Sequence, residues 1–185
     1  MTEAENPNFN KNHSLDLKPI RLDVYRLACQ FEGSRPFSGA LEGLTAEMQR
    51  PLKDLEREFF CDEASRILLQ SATILRMLDD ESEADADEKN PFFCGTLQTD
   101  TEEEGLPLRD ACNKIIHARK INFDQLPNEG QEGYFGPLVY LYGMRGHAAW
   151  KATLNIRQYL VYAARLLRAR SLAEFIEWET KYGRA

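Results

Sequence analysis

No stretch of the chain approaches the eighteen or more consecutive apolar residues that a membrane-spanning helix needs. The start, residues 1–13, is polar and Asn-rich, without the cationic opening and apolar run of an export signal. These absences predict a cytoplasmic protein with no membrane association. Cysteine is scarce: Cys29, Cys61, Cys94 and Cys112 are the four, none in CxxC spacing. Cysteines within apolar patterns behave as small hydrophobes, so reduced thiols are expected. The three histidines, His13, His117 and His147, stand far apart. Without paired Cys or His ligands, neither a metal nor a cofactor is expected. HExxH, GxxxxGK[ST] and GxSxG are missing, which removes the familiar metalloprotease, nucleotide-loop and hydrolase readings. Positive charge is also short, with 23 Lys and Arg against 30 Asp and Glu and a net charge of -7. There is no global attraction for nucleic acid, although a local basic patch is compatible with an acidic chain.

What is present suits a globular protein: 185 residues, 43% of them hydrophobic and 29% charged. That length supports one sizeable core, so residues 1–185 are expected to form a single domain with a flexible N-terminus over 1–13. Ile20, Val24, Leu27 and Phe31 recur with helical spacing, and Gly33 can end that helix. Met48, Leu52, Leu55 and Phe59 repeat the spacing, and Ile67, Ile74, Leu75 and Leu78 continue it, as one long helix or two stacked segments. Pro51 is tolerable near a helix start.

Seven of the ten residues 79–88 are acidic, and with Glu102, Glu103 and Glu104 they predict a solvated acidic loop over 79–105. Phe92 and Phe93 either tuck that loop onto the core or anchor a partner. A third helix spans 106–119, and a loop follows over 122–136, where glycine and proline interrupt the pattern. Residues 138–142 and 147–153, rich in aromatic and β-branched side chains, flank Gly143-Met144-Arg145-Gly146 as a β-hairpin. Asn155 can cap a fourth helix with Ile156, Leu160, Ala163 and Leu167 on one face. Ser171 to Glu174 has capping-box spacing and opens a short final helix carrying Phe175, Ile176 and Trp178. The expected fold is therefore mainly α, a four-helix-bundle-like core with a small β-hairpin and a short C-terminal helix. The stripes centred on Val24, Leu55, Ile115 and Leu160 should meet in one core.

The third helix carries the candidate chemistry. Leu108, Ala111, Cys112, Ile115 and Ile116 share one arc, and Asp110, Asn113 and His117 the other. Asn113 and His117 are four apart, hence neighbours, with Asp110 one turn earlier. Such a trio can orient an imidazole for general acid and base work on RNA, with Arg109, Lys114 and Arg119 as local cations to neutralise phosphate. The same residues can instead make hydrogen bonds that fix the fold.

Residues 108–118, LRDACNKIIHA, resemble the signature helix of the HEPN families, helical-bundle proteins found among RNases, toxin systems and antiviral defence. The resemblance covers about ten residues and includes Asn113-x-x-x-His117. Cys112 stands where the family carries its catalytic arginine, and Arg109 is the nearest upstream arginine. The resemblance implies a homodimer in which two such helices face a shared cleft. It also implies either a metal-independent endoribonuclease using His117 with Arg109, or a noncatalytic, degenerate interaction module of an RNA-linked or defence system. A protein partner, RNA, or a nucleotide or small ligand held by the helices are the binding alternatives. Tyr134, Tyr140, Tyr142 and Trp150 stack bases if exposed and pack the core if not. Arg165, Arg168 and Arg170 either offset a helix dipole or hold phosphate.

Overall fold

Trp150, Ala152 and Leu154 alternate with Lys151, Thr153 and Asn155, the period of a strand that buries one face, and the chain extends that pattern into a full sheet. A computed structural model describes residues 16–41, 43–81, 92–99, 102–128 and 131–182. In order along the chain the elements are α1 (Lys18–Ala40), α2 (Ala46–Glu81), β1 (Phe93–Gln98), β2 (Glu103–Pro107), α3 (Leu108–His117), β3 (Lys120–Asn128), β4 (Gln131–Arg145), β5 (Ala148–Asn155) and α4 (Ile156–Tyr182). The strands form one antiparallel sheet in the order β2-β1-β5-β4-β3, with α3 carrying the chain from one edge strand to the other.

This corrects the expected four-helix-bundle-like core with a small β-hairpin and short C-terminal helix. The hairpin is β4 and β5, turning at Gly146 with φ +62, but it is the middle of a five-stranded sheet. β1 and β2 arise in the expected acidic loop, and β3 with the first part of β4 in the expected loop over 122–136. Acidic residues, glycine and proline interrupt their apolar positions, and pairing with neighbours outweighs those local preferences. The acidic positions 82–88 and the expected flexible N-terminus over 1–13 lie outside the described residues. α4 runs unbroken to Tyr182, so no separate final helix starts at Ser171, whose hydroxyl donates to the Leu167 carbonyl within α4. Asn155 does cap α4, its Oδ1 accepting the Gln158 N–H at 3.2 Å. α1 continues through Gly33 and Pro36 to Ala40.

Val24, Ile115 and Leu160 meet in one core with Val139, Leu141 and Leu154 of the sheet. The fourth stripe does not join them, because Leu55 is 51% exposed and α2 turns Lys53 and Phe60 inward instead. At the centre Tyr159 is fully buried, its hydroxyl 2.8 Å from that of Ser71. One hydroxyl ties three elements together: Ser34 of α1 donates to Glu56 of α2 and accepts the Phe135 N–H of β4, both at 2.9 Å. Phe60 stacks on Phe135 beside it, ring centroids 3.8 Å apart. No described helix is long and apolar enough to cross a membrane.

Gly143 sits opposite Trp150, and a Cβ added there would lie 2.1 Å from the indole ring. Gly143→Ala must therefore displace Trp150, and we expect a loss of about 1 to 3 kcal/mol in urea-denaturation stability. An unchanged urea midpoint would show that the indole yields freely.

Candidate functional site

On α3 the residues singled out from the sequence do not gather into one site. The Arg109 guanidinium pairs with Asp79 of α2. Asn113 is half-buried and its Oδ1 accepts from Arg76 Nε of α2 at 3.1 Å, so its carbonyl is committed to α2 rather than to His117. Asp110 in the first turn and His117 at the last residue are both exposed. Eight residues of helix separate Arg109 from His117 by about 12 Å along the axis. With Arg109 paired to Asp79 of α2 and His117 exposed at the far end of the helix, the structure does not bring the two side chains together. The cavities of about 680, 310, 300 and 460 Å³ are lined by other residues.

Cys112, where the resemblance implies arginine, is 1% exposed. Burial first, and then the nearby Cys94 and Asp79, push its thiol up to about 12; burial alone does the same to Cys94. Both are neutral packing groups at physiological pH, far from the lowered pKa of a reactive thiol. Tyr159 beside them is also raised, again by burial first. Among the described residues, no group of three or more His, Cys, Asp or Glu is placed to hold a metal ion.

A different surface does gather chemistry. Because side chains alternate along β4, Val139 and Leu141 enter the core while Tyr140 and Tyr142 stand half-buried on the opposite face. The register sets Tyr142 between Lys120 of β3 and Lys151 of β5, and Tyr140 between Asn122 and Thr153. Lys151 Nζ lies 5.1 Å from the Tyr140 ring centroid and Lys120 Nζ 5.9 Å from that of Tyr142. The two tyrosines are about 7 Å apart along the strand. Further across the same face Thr96 pairs with Thr153, and the Phe93 ring fills the space a Cβ on Gly105 would need. Phe92, by contrast, turns back to stack on Tyr162 of α4 at 4.9 Å. Trp150 belongs to the core, 6% exposed, with Lys114 Nζ 4.6 Å from its centroid.

One end of the sheet is basic. The start of β3, the end of α3 and the β4–β5 turn bring Lys120, Arg119, His117, Arg145 and His147 to the same end of the sheet. The Arg119 N–H bonds the Tyr142 carbonyl at 2.8 Å, which joins that corner to the tyrosines. The sequence holds a signal for this that residue-by-residue reading missed. Residues 133–173 contain six Lys or Arg and no carboxylate, and residues 111–123 contain three and none. Most of the acidity of the chain lies elsewhere, although Asp124 follows the second segment directly. Beside the face, where the edge strand β3 approaches α2, a cleft of about 680 Å³ is lined by Tyr140, Tyr142 and Asn122 on one side and Asp62 and Ser65 on the other. Burial first, and then the charge of Asp124, which also lines the cleft and accepts a hydrogen bond from Tyr140, raise that phenol's pKa.

No known family model, curated protein or solved structure matches this chain.

The buried thiols fix an alkaline limit on stability. Unfolded, Cys94 and Cys112 ionise near about 8.5; folded, near about 12. Their contribution is therefore whole below about pH 8.5 and is lost as pH rises toward 12. Urea-denaturation stability measured against pH should be flat to about 8.5 and then fall, with a shallower fall in Cys112→Ala. Tyr159 titrates in the same sense and leaves part of the slope in that variant. Cys112→Arg, which restores the arginine of the resemblance, should fail to fold because it buries an unpaired guanidinium. A folded Cys112→Arg protein would contradict this placement of the thiol.

Proposed function

We propose that the protein is a noncatalytic interaction module that holds single-stranded RNA on the open face of its sheet. The observation that carries this reading is the register of three neighbouring strands, which flanks Tyr142 with Lys120 and Lys151. Single-stranded nucleic acid is recognised by aromatic rings on which bases stack and by cations that follow the backbone. Each tyrosine offers one ring. The lysines have flexible stems that can leave those rings for phosphate. Asn122 and Thr153 supply donors and acceptors beside Tyr140 for base edges or a 2′-hydroxyl. The net charge of -7 is compatible with this, since Lys120 and Lys151 lie in segments 111–123 and 133–173 that carry no carboxylate, and Asp124 beside Tyr140 is the acidic neighbour that RNA would meet.

The role of α3 in this reading is support. Asn113 and Arg109 bond α2, which holds the helix under the sheet, and His117 adds to the basic corner. Catalysis by His117 with Arg109 would need Arg109 to leave its ion pair with Asp79. RNA is the ligand of this module rather than its substrate.

Fluorescence anisotropy with a labelled single-stranded RNA of about a dozen nucleotides tests the reading. Affinity should fall with salt, and Lys120→Gln and Lys151→Gln should each lower the slope of log K against log salt by about 0.7. Tyr142→Ala should cost about 1 to 3 kcal/mol of binding. His117→Ala should weaken binding only slightly and leave RNA cleavage at background. Absence of binding at low salt, or binding indifferent to Tyr142→Ala and Lys151→Gln in folded proteins, would defeat the proposal. Cleavage by the wild type that His117→Ala abolishes would defeat the noncatalytic part of it.

A further inference from the structure

The apolar residues that α2 leaves outside have a pattern of their own. Met48, Leu52, Leu55 and Phe59 are spaced four, three and four apart, the seam along which one helix packs against another. They are 59%, 41%, 51% and 55% exposed. The seam is not the face that α1 covers. That face carries Lys53, which donates to Ser38 of α1 at 3.2 Å, and Phe60, which meets Phe31 of α1 edge-on. Between the seam and α1 runs a groove of about 460 Å³ lined by Phe37, Leu55, Phe59 and Cys29. It extends the apolar surface toward Tyr25, 65% exposed.

We infer that this seam is a homodimer interface, in which α2 of one copy packs antiparallel against α2 of a second. The area suits a second copy. Four large side chains at about half exposure present roughly 350 Å² of contiguous apolar surface, at the size of the largest patch an ordinary monomer leaves open. A twofold contact counts it twice, and the groove wall and Tyr25 bring the total to about 1,000 Å², the lower bound of a specific interface. The expected dimer is therefore weak and concentration-dependent.

The order of side chains also fits. An antiparallel pairing sets Met48 against Phe59 of the second copy and Leu52 against Leu55, a pattern that reads identically from either side, as a twofold axis requires. It places Glu56 opposite Gln49 and Glu58 opposite Pro51. A parallel pairing would set Glu58 against Glu63, carboxylate against carboxylate. This interface rests on nothing in the RNA reading, and either can fail without the other.

Sedimentation of the full chain from about 1 to about 300 µM tests it. The wild type should pass from monomer to dimer with a dissociation constant in the micromolar range. Leu52→Glu and Phe59→Glu should each weaken association at least tenfold while circular dichroism, and the thermal midpoint at a concentration where the wild type is monomeric, stay unchanged, since both side chains are exposed. Leu55→Gln gives the same reading without adding charge. In a Cys29→Ser background, a mixture of Leu52→Cys and Leu55→Cys proteins should cross-link on oxidation faster than either alone. A wild type that stays monomeric throughout the series would overturn the inference, as would a dimer that both glutamate variants leave intact. Faster self-cross-linking of Leu52→Cys would overturn its antiparallel form.

Discussion

Side chains alternate along β4, and most of what the molecule can do follows from that period of two. Val139, Leu141 and Gly143 face the helices, and no described helix is needed on the side where Tyr140 and Tyr142 stand. A register slip of one residue would put two phenols into a core built around Tyr159 and drive Leu141 into water. The constraint is enforced from both flanks. Ser34 holds the Phe135 N–H at one end, and Gly143 admits the Trp150 ring at the other. The core and the open face are thus one decision, taken along a single strand.

The helices were largely legible in the sequence, and the sheet was not. Val24, Ile115 and Leu160 lie on stripes long enough for their period to stand out, and all three are buried. β1 shows only Cys94 and Leu97 as its buried pair, with a bulge after Phe93 that breaks the alternation. β3 is punctuated by Asp124 and Pro127 and pairs with β4 through two register shifts. Such strands declare themselves through partners distant in sequence, which a local pattern cannot contain. Leu55 misled in the other direction, because a regular stripe reports an apolar helix face without saying what covers it.

The candidate site divides along the same line. Asn113 and His117 were found because a short polar pattern on one helix is readable, and α3 is indeed a helix with Cys112 in its buried face. Their surroundings were not readable: Arg76 reaches Asn113, and Asp79 reaches Arg109, from another helix 37 and 30 residues away. Tyr140 and Tyr142 were visible as aromatics, whereas the lysines that give them meaning come from β3 and β5 and are assembled only by strand register.

The strand order carries a consequence for how the chain is made. β1 lies between β2 and β5, so Gln98 must find Lys151 before the sheet is continuous. During synthesis the β1–β2 hairpin emerges with one edge unpaired, and that edge stays open until β5 has left the ribosome. The α1–α2 hairpin is in the same position, since Ser34 and Phe60 await Phe135. Completion is therefore deferred to the last third of the chain, and the contacts that close the fold are among the most distant in sequence. A topology of this kind folds slowly for its size, and its nascent form exposes a strand edge and an apolar helix pair together.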